Sequence, residues 1–204
     1  MQLSLTILII AVTVLVSWMA FNNRKLIERL LLWPPAIDRQ HQYDRLLTHG
    51  FVHADWQHLL FNMITLFFFG RAIESFFASY IGALGFVLFY LSAILVAILP
   101  TWLRHRHDPR YRSLGASGAV SAVLFAYILV APWSLIFVFF LPVPAILYAV
   151  FYVGYSIWMD RQGTDNVNHS AHLWGAGYGL LFTLMMEPRV WNHFLTQLLN
   201  PSFG

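Results

Sequence analysis

Six long, almost uncharged stretches restrict what this chain can fold into. They are Leu3–Phe21, His58–Phe77, Tyr80–Leu99, Ser117–Ala131, Ala145–Met159 and His169–Met186. Segments that cross lipid hydrocarbon must be helical, because lipid offers backbone N–H and C=O groups no hydrogen-bonding partner. The mean hydropathy of +0.63 and the charged fraction of 10% support membrane residence, since soluble domains average about 25% charged residues. We therefore predict an all-α, polytopic membrane protein whose six-transmembrane-helix bundle forms a single domain over residues 1–204.

The segments between these spans differ in character. The first span lacks a preceding basic region and a following small-residue cleavage site, which favours a retained span over a signal peptide. Asn22–Trp56 is mixed and aromatic, and we expect a partly ordered loop at the membrane interface. Pro100–Ser113 reads as a charged loop, whereas Pro132–Pro144 contains three prolines and reads as an apolar interfacial loop.

Composition argues against several classes of function. The chain has no cysteine, so it has no disulfide, thiol nucleophile or cysteine-ligated zinc. A net charge of +3 without a basic cluster on a polar face argues against nucleic-acid binding. Histidines at 49, 53 and 58 could suggest a metal, but no H-E-x-x-H motif accompanies them. We expect no metal and no cofactor. We expect His49 and His53 to hold the long loop in place through hydrogen bonds.

The fourth span is short and begins at a serine flanked by glycines. Its 15 residues reach roughly 22 Å as a helix, less than the roughly 30 Å of hydrocarbon, so Ser117 should lie recessed and face water or protein. Gly115 and Gly118 would allow close backbone approach, and a helix N-terminus suits an oxyanion. Alternatively, Gly118 with Ala122 and Ala126 forms a small-residue ridge for helix packing.

A histidine near the start of the sixth span is the candidate general base. An ionisable residue within a span usually faces the bundle interior or water, and imidazole accepts a proton near neutral pH. Gly175 and Gly179 follow His172 at i+3 and i+7 and would admit a neighbouring helix. The alternative is that His172 only hydrogen-bonds to another helix.

A third set of polar residues opens the second span. His58 and Asn62 are four residues apart and so share one helix face. Both can donate hydrogen bonds to a developing oxyanion.

Taken in order, these residues resemble the rhomboid family of intramembrane serine proteases over roughly residues 43–180. The matching pieces are His49-x3-His53-x4-His58-x3-Asn62, Gly70 with Glu74, Gly115-x-Ser117-Gly118, and Ala171-His172-x2-Gly175-x3-Gly179. Any one motif is weak, but the ordered set is specific.

The resemblance implies an intramembrane serine endopeptidase with a Ser117–His172 dyad. The oxyanion would be bound by the Ser117 amide together with His58 and Asn62. Arg45 and Glu74 would be structural, and the polar loop before the sixth span would act as a lid. It also implies transmembrane-protein substrates in a lipid bilayer, and we expect a bacterial inner (plasma) membrane. A catalytically inactive, rhomboid-like protein that binds transmembrane helices is the alternative.

Two positions depart from the family pattern. Many members carry an aromatic residue four positions after the nucleophile, where this chain has Ser121. His172 must then be oriented otherwise, by Ser121 or by packing, and we expect Ser121→Tyr to keep activity. His169 stands where a small polar residue is expected three positions before His172, and it could polarise the site or lie at the interface.

Charge distribution conflicts with the family's topology. Ten of the twelve Lys and Arg residues lie in the loops on the Ser117 side, and only Arg71 and Arg189 lie on the other. The positive-inside rule would put the Ser117 side in the cytoplasm, whereas the resemblance puts it outside. We follow the resemblance, because its motifs are more specific than a charge count in a partly folded loop.

Overall fold

The computed structural model describes residues 4–138, 140–163 and 165–201, most of them helical. The helices are α1 (Leu5–Phe21), α2 (Arg24–Leu30), α3 (Pro34–Gln40), α4 (Arg45–Thr48), α5 (Trp56–Thr65), α6 (Arg71–Ile81), α7 (Ala83–His105), α8 (Ser117–Val130), α9 (Ala145–Gln162), α10 (His169–Met186) and α11 (Arg189–Leu199). A 3₁₀ turn, His49–Phe51, follows α4, and a π turn, Leu66–Gly70, joins α5 to α6.

Two of these helices are long and apolar enough to cross a membrane by length and composition. They are the continuous α5–α6 unit, Trp56–Ile81, and α7. Two further apolar helices, α1 and α8, are shorter. The mainly helical fold is thus confirmed, while the count of six spans stays a prediction. Leu3, where the first span was expected to begin, lies outside the described residues.

Helix α8 is the most buried helix of the fold. Its small residues Ala119, Ala122 and Ala126 are at most 1% exposed, and α7 and α10 pack against it. A Cβ on Gly179 would overlap the carbonyl oxygen of Ala122. Glycine here is therefore required by the close approach of α10, and the small-residue ridge does contribute to packing.

Pro132–Pro144 is not an irregular loop as predicted. Leu135–Val138 (β1) and Leu141–Pro144 (β2) pair antiparallel, with Leu135 opposite Pro144. Branched and aromatic residues favour strands, and a two-stranded sheet has only edge strands, where proline is tolerated. The all-α prediction is wrong for this segment. At the turn between β1 and β2, the apolar side chain of Phe140 is 93% exposed.

Several span boundaries shift in the structure. The second span ends at Ile81 instead of Phe77, and the third begins at Ala83 instead of Tyr80. Helix α7 continues through Pro100 to His105, so the expected charged loop begins six residues later than predicted. Helix α9 extends three residues past Met159 to Gln162 and is capped by Gly163, which has φ +60°. The second span begins two residues early at Trp56, because the Asp55 carboxylate accepts a hydrogen bond from the His58 amide at 2.8 Å.

The segment between α1 and α5 is folded around one buried arginine. The Arg45 guanidinium donates to the carbonyl oxygens of Leu31 (2.7 Å) and Glu28 (2.9 Å) and to the side chain of Gln42 (2.6 Å). Buried carbonyls need such partners, so Arg45 holds α2 against α4. The segment is more ordered than the partly ordered loop that we predicted.

The start of α1 is held by a carboxylate on α6. The Glu74 carboxylate accepts hydrogen bonds from Ser4 Oγ (2.6 Å) and from the amides of Leu5 (2.7 Å) and Thr6 (2.9 Å). A carboxylate at a helix N-terminus satisfies free amides and the helix dipole, so Glu74 fixes the start of α1 against α6.

Helix α11 was not predicted from the sequence.

Candidate active site

A cavity of about 530 Å³ opens at the N-terminal end of α8. Ser117 lines it from α8, His172 from α10 and His58 from α5. The loop residues Arg112 and Asn168 complete its rim. Thus three of the four side chains expected to carry chemistry share one cavity, although they are more than 100 residues apart at the extremes.

The amides of the first turn of α8 face this cavity. The helix has Ala116 as its N-cap with no side-chain cap, and the first helical hydrogen bond runs from the Val120 amide to the Ala116 carbonyl. Ser117, Gly118 and Ala119 therefore keep amides without an intrahelical acceptor, and all three residues line the cavity. Such an end can bind a negatively charged oxygen.

Gly115 brings the His58 ring close to the backbone that precedes Ser117. It adopts φ +120°, which side chains rarely allow, and a Cβ there would lie 2.6 Å from His58 Cε1 and 2.9 Å from Nε2. Only glycine fits both conditions. The His58 ring therefore packs against Gly115, two residues before Ser117 in the chain.

His53 joins α1 to the loop that leads into Ser117. Its Nε2 accepts from the Ala116 amide at 3.3 Å, so the proton of the neutral ring lies on Nδ1. Nδ1 then donates to Ser17 Oγ at 2.9 Å, and Ser17 Oγ donates to the Phe51 carbonyl at 3.0 Å. His53 is 0% exposed, and this chain of bonds fixes the backbone one residue before Ser117.

His49 supports the same loop. Its Nδ1 bonds to the Arg45 carbonyl at 3.0 Å, and its own carbonyl accepts from the Gly115 amide at 2.9 Å. Among the described residues, no group of three His, Asp or Glu side chains could hold a metal. The rings of His49 and His53 are instead engaged by protein groups.

The contact between α8 and α10 sets the relation of Ser117 to His172. A Cβ on Gly175 would overlap the carbonyl oxygen of Gly118, so the two helices touch one residue after Ser117 and three after His172. Within the described residues, no hydrogen bond joins the Ser117 hydroxyl to the His172 ring. Catalytic hydrogen bonds often form fully only when substrate is bound.

Aromatic and imidazole rings surround His172. Tyr152 of α9 is nearly parallel to it, with ring centroids 6.1 Å apart and planes 24° apart. His169 meets it edge-on, with centroids 5.7 Å apart. Tyr152 was missed by sequence reasoning, because an isolated tyrosine in an aromatic-rich span carries no signal of its own.

Besides His53 and Gly175, two further predicted site residues are not among the described residues that line the cavity. Asn62 is 6% exposed and donates from Nδ2 to the His58 carbonyl at 3.0 Å. Ser121 bonds to the Ser117 carbonyl at 2.8 Å and to the Tyr152 hydroxyl at 2.6 Å. In the described part of the chain, neither lines the cavity. Asn62 thus supports the helix that presents His58 in this structure, and its amide is not directed at the cavity.

The polar loop before α10 is tied down beside the cavity. His169 Nε2 bonds to the Asp165 carboxylate at 3.0 Å, and this hydrogen bond lowers the pKa of Asp165. Asn168 caps α10 by accepting from the Ala171 amide at 3.0 Å, and it also accepts from the Thr101 hydroxyl at 3.0 Å. His169 therefore anchors the loop.

Comparison with known families decides which family this is. A family model described as a rhomboid domain matches residues 40–189, well over half of the chain. The chain belongs to the rhomboid family. Every cavity side chain discussed above falls within the matched range.

Several curated rhomboid proteins are similar in sequence. RHOMBOID-like protein 12, mitochondrial, of Arabidopsis thaliana is 34% identical over 177 residues, which cover 80% of this chain and 52% of that protein. Rhomboid protein 1, mitochondrial, of Saccharomyces cerevisiae is 30% identical over 144 residues, covering 67% and 40%. YdcA of Bacillus subtilis is 32% identical over 84 residues, covering 41% and 39%. This rhomboid chain thus spans about half the length, or less, of these relatives.

Proposed function

We propose that this rhomboid is an intramembrane serine endopeptidase whose nucleophile is Ser117 and whose general base is His172. The observation that carries the proposal is that both side chains line one cavity at the uncapped N-terminus of α8. A nucleophile, a base and free amide donors in one cavity are the three requirements of acyl transfer to serine.

In the first half of the reaction, Ser117 Oγ adds to the carbonyl carbon of the scissile peptide bond while its proton passes to His172. The carbonyl oxygen takes up the negative charge. The first-turn amides of α8 and the ring of His58 are the candidate donors to that oxyanion, and Asn62 acts through its hydrogen bond to the His58 backbone. Each donor typically contributes about 3 kcal/mol to the transition state.

In the second half, the carbon–nitrogen bond breaks and His172 gives its proton to the leaving amine, which leaves an ester on Ser117. A water molecule then loses a proton to His172 and adds to the ester carbonyl. The ester bond breaks, Ser117 recovers its proton, and a carboxylate product departs. The cavity of about 530 Å³ at the end of the short α8 provides room for that water.

The substrates that we propose are transmembrane segments of other proteins, met within the lipid bilayer. A peptide bond in a helix is shielded by its own hydrogen bonds, so the substrate must unwind near the cut. Residues of low helix propensity, such as glycine, serine or proline, ease this. We propose neither a cofactor nor a nucleic-acid partner.

For the membrane arrangement, we propose one domain over residues 1–204 with six spans: α1, the α5–α6 unit, α7, α8, α9 and α10. The family and its apolar helices make this a membrane protein. The bacterial inner membrane has no support from the Arabidopsis and Saccharomyces relatives, whose names are mitochondrial. We therefore propose only a multi-pass membrane location and leave the organelle or plasma membrane to fractionation.

A catalytically inactive, helix-binding rhomboid is the second candidate function. The organellar relatives are named rhomboid or rhomboid-like, words that do not state an activity. The two candidates differ in whether Ser117 reacts. An inactive protein has no need of a serine that can be acylated beside a base.

The deciding experiment is labelling of the detergent-solubilised protein with a fluorophosphonate, followed by mass-spectrometric mapping. We expect one adduct on Ser117, which His172→Ala abolishes, together with cleavage of a single-span substrate that Ser117→Ala abolishes. The matched control is Ser134→Ala, a serine near the far end of α8 whose hydroxyl bonds to the Ala131 carbonyl. Unchanged cleavage by Ser117→Ala, or a wild-type protein that neither labels nor cleaves, would overturn the proposal.

A further inference from the structure

A single tyrosine contacts His172 directly and is linked to the Ser117 backbone through Ser121. Tyr152 lies on α9, which carries neither Ser117 nor His172. Its ring is stacked on the imidazole of His172, with centroids 6.1 Å apart and planes 24° apart. Its hydroxyl lies 2.6 Å from Ser121 Oγ, one turn beyond Ser117 on α8.

The direction of these hydrogen bonds follows from counting protons. Ser121 Oγ has one proton, and it donates that proton to the Ser117 carbonyl at 2.8 Å. In the contact with Tyr152, Ser121 Oγ must therefore accept, and the Tyr152 hydroxyl must donate. A directed chain runs from the tyrosine hydroxyl through Ser121 to the backbone of Ser117.

We propose that Tyr152 is a positioning residue that sets the orientation of the His172 ring relative to Ser117. This inference rests on the proposed protease function and deepens it. The tyrosine ring restricts rotation of the imidazole by stacking. The hydroxyl chain fixes that ring to the helix that carries the nucleophile, so base and nucleophile share one reference point.

Packing around Tyr152 supports a fixed ring. Tyr148, one turn earlier on α9, stacks on the Tyr152 ring with centroids 5.7 Å apart. The ring of Phe125 on α8 also contacts the Tyr152 ring, with centroids 5.6 Å apart. The space next to Ser121 is thus filled by Tyr152. Our sequence-based expectation that Ser121→Tyr alone keeps activity is therefore revised, because a second tyrosine would compete with Tyr152 for that space.

The first test separates the ring from the hydroxyl. Tyr152→Leu removes both and is expected to lower kcat by about 10- to 100-fold, since small errors in geometry cost this much, while KM changes by less than about three-fold. Tyr152→Phe keeps the ring and should retain kcat within about five-fold. The control is Phe151→Leu, which removes a neighbouring aromatic that is 72% exposed and is outside the described cavity lining.

The second test moves the aromatic from one helix to the other. Tyr152→Ser should be slow, and adding Ser121→Tyr to it should restore kcat at least about ten-fold, because the ring then approaches His172 from α8. A purely structural role for Tyr152 predicts no such rescue. Fluorophosphonate labelling rates of Ser117, which also need an oriented base, should follow the same order.

The outcomes distinguish this inference from the protease proposal. If the wild-type protein cleaves and Tyr152→Leu has wild-type kcat, the positioning role is overturned and the protease stands. A folded double variant that stays as slow as Tyr152→Ser also overturns it. If the wild-type protein never labels at Ser117, the protease proposal itself fails.

Discussion

Gly175 on α10 lies directly against the backbone carbonyl of Gly118 on α8. A methyl group on Gly175 would overlap that oxygen, and neither backbone can move without shifting the other helix. Because Ser117 and His172 flank this contact, the distance between the proposed nucleophile and base depends on there being no side chain here.

Gly175→Ala is therefore expected to separate the two helices, lowering the free energy of unfolding by about 1–3 kcal/mol and kcat/KM by at least about ten-fold. The matched control is Gly177→Ala on the same helix, where a Cβ meets no atom within 4 Å. Alanine there should be neutral or stabilise by up to about 1 kcal/mol. Thermal unfolding and cleavage rates check both. Equal behaviour of the two variants would contradict the role of this contact.

His58 and Asn62 should differ in catalytic weight. His58 lines the cavity beside Gly115, whereas the Asn62 amide bonds back to the His58 carbonyl. His58→Ala is expected to lower kcat by about 10²–10³, as loss of one oxyanion donor does. Asn62→Ala should cost less, about ten-fold, because it removes support and not the donor.

The check is kcat for both variants with one single-span substrate at saturating concentration. Leu60→Ala, which changes an exposed residue of the same helix outside the described cavity lining, is the control and should be unaffected. Asn62→Ala losing more activity than His58→Ala would show that the amide turns towards the oxyanion when substrate binds.

The sequence predicted those features of the fold that depend on local pattern. The N-terminus of α8 at Ser117 and both ends of α10 agree with the structure, because glycines, polar caps and lipid-compatible runs mark them. The hairpin β1–β2 and helix α11 were not predicted. Apolar residues at a membrane surface satisfy either a loop or a hairpin, so hydropathy alone cannot separate the two.

The sequence predicted those site residues that belong to a family motif. It did not predict Tyr152, whose contact with His172 joins two different helices. Tyr152 reaches His172 from α9 through packing that no sequence spacing encodes. The membrane orientation stays a prediction, and part of the positive charge that bears on it is paired. Arg29 pairs with Asp44 at 2.8 Å and Arg106 with Asp38 at 2.9 Å. Part of that charge is neutralised within the folded segment, which the positive-inside rule, a count of Lys and Arg, does not consider.

His53→Leu should destabilise the fold and slow the reaction together. The substitution leaves the Ala116 amide and the Ser17 hydroxyl without their partner in a fully buried site. Each buried group left unsatisfied costs about 1–3 kcal/mol. Ser17→Ala removes only one contact and is the graded control, with a loss of about 1 kcal/mol.

Thermal unfolding in one detergent measures both variants, and fluorophosphonate labelling of Ser117 reports on the site. We expect labelling to slow with His53→Leu, because Ala116 directly precedes Ser117, the proposed nucleophile. Unchanged stability in His53→Leu would mean that water or another group replaces its bonds.

The contact between Asp165 and His169 should give the loop before α10 a pH-dependent stability. The hydrogen bond from His169 lowers the pKa of Asp165 in the folded protein. A carboxyl group with a lowered folded pKa stabilises the fold above its unfolded pKa, and that contribution disappears as the pH falls through the folded value. Asp165→Asn should therefore lower Tm near neutral pH, and this difference should shrink as the pH falls below the ordinary aspartate pKa of about 3.9.

Unfolding of wild type and Asp165→Asn at several pH values measures this difference, since both share all other titrations. Glu28→Gln is the matched control, because its carboxylate makes an exposed i, i+4 pair with Arg24, and such pairs contribute little. Its Tm difference from wild type should stay small throughout. A Tm difference for Asp165→Asn that persisted unchanged into acid would mean that the asparagine acts through loop packing, and that His169 does not hold this loop through the carboxylate.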